Sequence, residues 1–307
     1  MWDQNSHGQL NFNASDEGLT HHGSIVENDL IQGALFESLD REKIECIKGS
    51  LTDLEKTEEG YQVTLSDQTR LGCRLLIGAD GAQSKVRRLA GINISENDYQ
   101  QQAIIANIAC EKSFGGAIWQ RFLSDSIIAL LPLSDKQASI VWSCKNPLAD
   151  ELIDMQDNAF SRALAEALEY RFGKIILESK RKAFSLIERS AKDYVLPNLA
   201  LIGDAAHNIH PLAGQGVNLG FADAQELNRQ LHAHADKALG DYLVLRRYAR
   251  ARRTDNELMA KTMTGLNWIY KQNNEGLRWL RGFGMNLIDE TPILKSFLQK
   301  HALGKSS

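Results

Sequence analysis

Long apolar runs are missing from this 307-residue chain; Ile127-Ile128-Ala129-Leu130-Leu131 is among the longest. A bilayer crossing needs roughly 18 to 20 such residues, so no membrane-spanning helix is expected. Cysteine is scarce as well. Cys46, Cys73, Cys110 and Cys144 stand 27 or more residues apart and form no CxxC pair, which argues against a disulfide framework or a Cys-based zinc site. They read as reduced thiols of a cytoplasmic protein. An excess of positive charge is also absent: 35 Lys+Arg face 39 Asp+Glu, a net charge of −4. Phosphate contacts need a basic surplus, so no nucleic-acid partner is expected. Met1-Trp2-Asp3-Gln4-Asn5 has neither the basic nor the apolar region of a signal peptide. His21-His22 and His207-x-x-His210 lack an i,i+4 partner or carboxylates at ligand spacing, so no metal is expected and they read as loop histidines with backbone partners.

What is present is ordinary globular composition, 43% hydrophobic and 24% charged, in a chain long enough for two lobes. Gly8 to Asn13 is strand-like, and Ile25 to Leu39 repeats apolar residues at helical spacing. Ile44 to Ile47 reads as a strand. Tyr61 to Leu65 and Arg70 to Gly78 alternate about a Ser66-Asp67-Gln68 turn, which predicts a hairpin. Between Gln102 and Cys144 four short runs (Ile104 to Cys110, Trp119 to Phe122, Ile127 to Leu131, Ser139 to Trp142) are bounded by Gly, Ser and Asp, the pattern of an antiparallel sheet. A helix is expected over Asp157 to Phe172, a strand between Arg181 and Ile187, and a short apolar strand at Leu199 to Ile202. A helix from about Val217 to Leu231 and helical structure over Tyr242 to His301 follow. The expected fold is an α/β nucleotide-type lobe interrupted by an antiparallel substrate lobe. Its expected parts are 1–100, 101–190, 191–245 and a helical 246–307.

The chemistry concentrates in Leu201-Ile202-Gly203-Asp204-Ala205-Ala206-His207 through His210-Pro211-Leu212-Ala213-Gly214-Gln215-Gly216-Val217-Asn218. An apolar strand delivers Asp204 to its carboxyl end, where ligands of open α/β sheets bind. A carboxylate there accepts hydrogen bonds from sugar or ribityl hydroxyls. Gly214 and Gly216 let backbone approach a flat ligand, and the helix that follows aims its positive end at it. A plain strand-turn-helix corner is the competing reading. The second segment is Leu76-Ile77-Gly78-Ala79-Asp80-Gly81-Ala82-Gln83-Ser84-Lys85-Val86-Arg87, a strand, an Asp-Gly turn and a helix with Ser84 as N-cap.

These segments, in this order and with a β-rich insert between them, resemble the GD and DG motifs of class A flavoprotein monooxygenases, the para-hydroxybenzoate hydroxylase-like family. Trp2-Asp3-x-x-Ser6-x-Gly8, Gly23-Ser24-Ile25-Val26-Glu27-Asn28 and Leu130-Leu131-Pro132-Leu133-Ser134 are similar to its ubiquinone-biosynthesis hydroxylases, most of all to those acting at C5 of a 2-polyprenylphenol. The resemblance covers essentially the whole chain. It implies FAD as cofactor, NAD(P)H as co-substrate, and transfer of one oxygen atom of O2 to an electron-rich phenol ring. It places Gly203 and Asp204 at the ribityl chain, and Gly214, Gln215, Gly216, Val217 and Asn218 against the isoalloxazine. Asp80, Gly81 and Arg87 fall on the pyrophosphate side. Pro211 shapes the ring face, so that Pro211 and Gly216 flank the reacting ring without supplying an acid or base. The implied partners are a polyprenylated phenol or quinol and a ubiquinone-biosynthesis complex, with a homo-oligomer expected.

One family feature is absent. No GxGxxG fingerprint occurs; Gly214-x-Gly216-x-x-x-Gly220 has another spacing and belongs to the GD motif. The expectation is therefore an N-terminally truncated chain, with on the order of a hundred residues ahead of Trp2 in a full-length relative. A non-catalytic fragment or paralogue that binds lipid or stabilises a complex is the alternative. Arg246, Arg247, Arg250, Arg252 and Arg253 are expected to form a solvated helix face, with peripheral contact to the inner membrane face as the competing role. Trp119, Phe122 and Trp142 are expected to pack in the sheet's core rather than stack on a quinol.

Overall fold

The computed structural model describes residues 1–3, 10–208 and 216–271. Along the chain run β1 (Trp2–Asp3), α1 (Asn28–Glu37), β2 (Leu51–Lys56), β3 (Tyr61–Leu65), β4 (Arg70–Cys73), β5 (Leu76–Gly78) and α2 (Lys85–Leu89). Next come β6 (Ile94–Cys110), β7 (Trp119–Phe122), β8 (Ser126–Pro132), β9 (Gln137–Lys145), α3 (Asn146–Asp154) and α4 (Asp157–Ala167). The last are β10 (Ile175–Leu177), β11 (Lys182–Ala191), β12 (Val195–Leu196), β13 (Leu199–Leu201), β14 (His207–Asn208), α5 (Gly216–Ala233) and α6 (Tyr242–Lys271). The described residues form two compact units, one drawn from 1–40, 100–185 and 267–271 and the other from 41–99 and 186–266. Residues 1–40 thus cluster with the antiparallel sheet and not with 41–99, and 246–266 belong with the GD segment.

In the first unit, β7, β8, β9 and β6 form an antiparallel meander, with β10 beside β6 and β1 parallel to β7. Period-two burial along β8 turns Ile128 and Leu130 inward, where they meet Ile104, Ile108 and Ile140. Leu152 of α3 and Phe160 and Leu164 of α4 close the core from one side, each such side chain contributing about 1.5–3 kcal/mol. Trp142 is buried in this core and Trp119 half-buried against it, and Phe122 is buried as well. Trp142 Nε1 donates to Ser126 Oγ at 3.1 Å, so its polar atom is satisfied inside. The Cys110 and Cys144 thiols, buried here, are pushed up to about 11 and about 12.

Several local expectations need correction. The helix expected to reach Phe172 ends at Ala167, because Glu169 and Tyr170 take left-handed φ of 54° and 52° and the chain turns toward Gly173. The strand expected at Gly8 to Asn13 is not found in its described part, residues 10–13; the strand here is β1, and Gly8 and Gln9 lie outside the described residues. Ile44 to Ile47 form no strand. The helix read from Ile25 to Leu39 forms as α1 over a shorter span, yet none of its residues is buried, and Leu30, Leu35 and Phe36 are exposed.

In the second unit, β2, β3 and β4 make an antiparallel sheet, while β12, β13 and β5 make another. The single long hairpin strand expected over Arg70 to Gly78 is split between the two. Asn198, at φ 65°, supplies the reason: its Nδ2 donates to Arg74 O at 2.7 Å and its carbonyl accepts Leu76 N–H at 2.9 Å. Those bonds divert the chain, and β5 runs parallel to β13 with Ala200 opposite Ile77 and Leu201 opposite Gly78. Tyr194, Leu245, Tyr248 and Leu227 pack around the fully buried β13. Among the described residues no helix is long and apolar enough to cross a membrane.

Candidate active site

β13 is buried at every residue, and the next residue, Ile202, donates its N–H to Gly78 O at 3.0 Å. The chain then reverses at Gly203, where φ is +58°, a region an L side chain adopts at a cost. A 3-10 turn over Gly203–Ala205 presents Asp204 outward at the carboxyl end of the β13–β5 pair. Asp204 is exposed and accepts a long 3.4 Å hydrogen bond from Asn208 Nδ2. Beyond the turn, β14 pairs with β11, Ser190 opposite His207.

The DG segment is tied to this turn. Asp80 Oδ2 accepts the N–H groups of Lys85 (2.7 Å) and Val86 (3.1 Å), and buried Ser84 caps α2 by accepting Arg87 N–H at 2.9 Å. Gly81 takes φ +81° in the turn between them. The buried Arg87 guanidinium donates to Ala82 O and to Ala205 O, both at 2.8 Å. Burial pulls Arg87 below the usual arginine range, and these carbonyls satisfy its donors. One side chain thus links two segments 118 residues apart in sequence. The structure brings Gly81, Asp80 and Arg87 together with Gly203 and Asp204 within one unit.

α5 starts at Gly216, whose Cβ position meets no described residue within 4 Å. Gly216, Val217 and Asn218 are exposed in its first turn, and Val217 and Phe221 lie one turn apart on the helix, both exposed. Pro211, Gly214 and Gln215 lie outside the described residues, as does His210.

Comparison with known proteins decides what such a corner belongs to. The FAD binding domain family matches residues 25–261. The chain is 36% identical to 3-demethoxyubiquinol 3-hydroxylase of Escherichia coli K12 over 297 residues, 95% of this chain and 76% of that protein. It is 32% identical to the human ubiquinone biosynthesis monooxygenase COQ6, mitochondrial, covering 98% of this chain and 74% of the relative. The chain belongs to the class A FAD-dependent aromatic monooxygenases, in their ubiquinone-biosynthesis branch. In fold it matches the p-nitrophenol 4-monooxygenase PnpA of Pseudomonas putida, with a TM-score of 0.76 at 15% identity over 98% of this chain and 80% of that one.

For a monooxygenase of this family the corner fits FAD. Asp204 offers an exposed carboxylate to hydroxyl donors, and α5 begins at the exposed Gly216 with its first backbone N–H groups outside the helix's own bonding. Asp80 turns its oxygen to the α2 backbone, which makes it a cap for that helix as well as a neighbour of the site.

Two histidine and arginine expectations change. His207 is not a loop histidine with backbone partners: β14 turns it inward, and its Nε2 donates to the buried Asp223 carboxylate at 2.6 Å. The arginine run is not one solvated face. Arg252 is buried on Asp223 at 2.7 Å, and Arg253 lies 5.3 Å over the Tyr194 ring, while Arg246, Arg247 and Arg250 stay exposed. The helical period of α6 divides neighbours in sequence between opposite faces. Asp223 and Arg252 were missed as partners, although Asp223, Leu227 and Gln230 share the buried face of α5; an acid at a core position of an amphipathic helix is the signal that marks them. Among the described residues no group of His, Cys, Asp and Glu is arranged to hold a metal ion.

Proposed function

We propose that this chain binds FAD at the Asp204 turn and hydroxylates the ring of a polyprenylated phenol or quinol in ubiquinone biosynthesis, with NAD(P)H and O2. The observation that carries the reading is the Arg87 bridge, which fixes the DG loop and the GD turn as one site at a sheet's carboxyl end. Bound FAD supplies electron transfer from NAD(P)H and activation of O2; the protein supplies orientation, electrostatics and exclusion of water. Asp204 holds the ribityl hydroxyls next to Gly203. The N–H groups of Gly216, Val217 and Asn218, with Gly214 and Gln215, carry the positive end of α5 toward the ring, and Pro211 faces it. Arg87 and Gly81 keep the pyrophosphate side in place, with Asp80 behind them. Within the branch, the strings shared with the C5 hydroxylases favour C5 of a 2-polyprenylphenol, while the E. coli relative is named for position 3 of a demethoxyubiquinol.

Flavin-fluorescence titration of the purified chain, followed by NADH and NADPH oxidation with a short-chain polyprenylphenol, tests this. The expected result is saturable FAD binding that Asp204→Ala weakens by at least tenfold, and a product one oxygen heavier, whose ring position mass fragmentation assigns. No FAD uptake by the chain overturns the reading. A second reading, a non-catalytic module that binds lipid or steadies a hydroxylase complex, is favoured by one feature, the apolar residues exposed on α1.

A further inference from the structure

The buried face of α5 holds a carboxylate that nothing above uses. Asp223 is wholly buried, and three donors converge on it. Its Oδ2 accepts Gly203 N–H at 2.9 Å and His207 Nε2–H at 2.6 Å, and its Oδ1 accepts Arg252 Nε–H at 2.7 Å. Arg252 is held in turn by Asp255 (2.8 Å) and Asn256 (3.1 Å). Tyr194 stacks on the His207 ring at 5.8 Å. A buried ion is retained only where its partners satisfy it, so this cluster is built as a unit. Its placement is informative: Gly203 and His207 are the two ends of the turn that carries Asp204. α5 also presses on that turn through backbone, since a Cβ on Gly220 would sit 3.4 Å from Gly203 Cα.

We infer that Asp223 is a positioning residue for the cofactor turn: by clamping Gly203 and His207 from α5, it fixes Asp204 relative to the N-terminus of that helix and sets FAD affinity without touching FAD. The inference rests on the FAD reading above. Charge alone would not need this residue, because any acid near Arg252 would serve. The geometry needs three accepted hydrogen bonds shared over two oxygens, which a carboxylate provides. An amide offers one oxygen and sets N–H groups against N–H groups, so Asp223→Asn breaks the clamp at nearly constant volume. Gln at position 207 keeps a donor toward Asp223, whereas Leu removes it.

The test uses the full chain in two measurements, FAD titration by fluorescence and backbone hydrogen exchange without FAD. Expected are an FAD dissociation constant raised at least tenfold in D223N, at least fivefold in H207L and less than twofold in H207Q. Without FAD, amides of residues 203–208 exchange at least tenfold faster in D223N and faster in H207L, with Leu199–Leu201 unchanged. Equal FAD affinity in wild type and D223N overturns the inference, and so does unchanged exchange in D223N and H207L. If D223N does not fold, the His207 pair decides: Leu and Gln behaving alike overturns it. If the wild-type chain takes up no FAD, the functional reading fails separately, and the exchange data alone decide whether Asp223 clamps the turn.

Discussion

Asp204 and Asp223 lie on either side of one turn and do opposite work. The first is exposed and free to meet a ligand's hydroxyls; the second is sealed in and serves the protein. Burial on its own pushes the Asp223 carboxyl up, but the His207 and Arg252 bonds and the Gly203 N–H outweigh it and hold it below the usual range. A carboxyl lowered in the folded state contributes stability above its unfolded value, about 3.9, and loses it as pH falls through the folded value. Urea unfolding from pH 7 to pH 2.5 is therefore expected to show D223N less stable at neutral pH by about 3 kcal/mol, the cost of breaking a buried pair. That gap narrows below about pH 4, first as Asp223 protonates in the unfolded chain and then, lower still, as it protonates in the folded one. A gap that stays constant across this range would remove the electrostatic account. Asp223 was legible in the sequence as an acid among the core positions of α5, but its partners were not, because they come from α6 and from the turn.

At the scale of elements, the GD corner depends on backbone shape. Gly203 holds a positive φ, and among the described residues its Cβ position meets only Gly220 Cα at 3.7 Å, an ordinary contact. The cost of a side chain there is conformational and not steric. Gly203→Ala is expected to destabilise by about 1–2 kcal/mol, read by urea midpoint, and to weaken FAD binding; an unchanged midpoint contradicts this. Most strands of the first unit were legible from alternation, since β8 and much of β6 and β9 alternate buried with less buried positions. β5 was not, because local alternation continues from Arg70 through Gly78 while Asn198, more than a hundred residues on, moves its end into another sheet. The same holds for α4: its periodicity runs past Ala167, but the left-handed Glu169 and Tyr170 stop it.

On the scale of the whole molecule, surface character is what the fold redistributes. Five arginines in eight residues suggested one basic face; the fold buries Arg252 on Asp223, lays the half-buried Arg253 over Tyr194, and leaves Arg246, Arg247 and Arg250 near exposed Tyr242 and Leu243. This apolar and basic pairing suits an anionic bilayer surface, where each exposed arginine is worth about 1 kcal/mol. Co-sedimentation with phosphatidylglycerol vesicles is expected to fall several-fold when Arg246, Arg247 and Arg250 are changed to Glu. Binding that persists in this variant would show that α6 makes no such contact.

The linear sequence by itself determined the family, the FAD motifs and the antiparallel character of the central strands. These properties are written within short windows: an apolar strand, an aspartate, glycines, alternating side chains. Tertiary structure alone decided that Arg87 joins the two motifs, that His207 faces Asp223 and that the arginine run divides. Each of these is a contact between residues far apart in the chain, made where burial forces a charged group to find a partner, and no local pattern encodes which partner it finds.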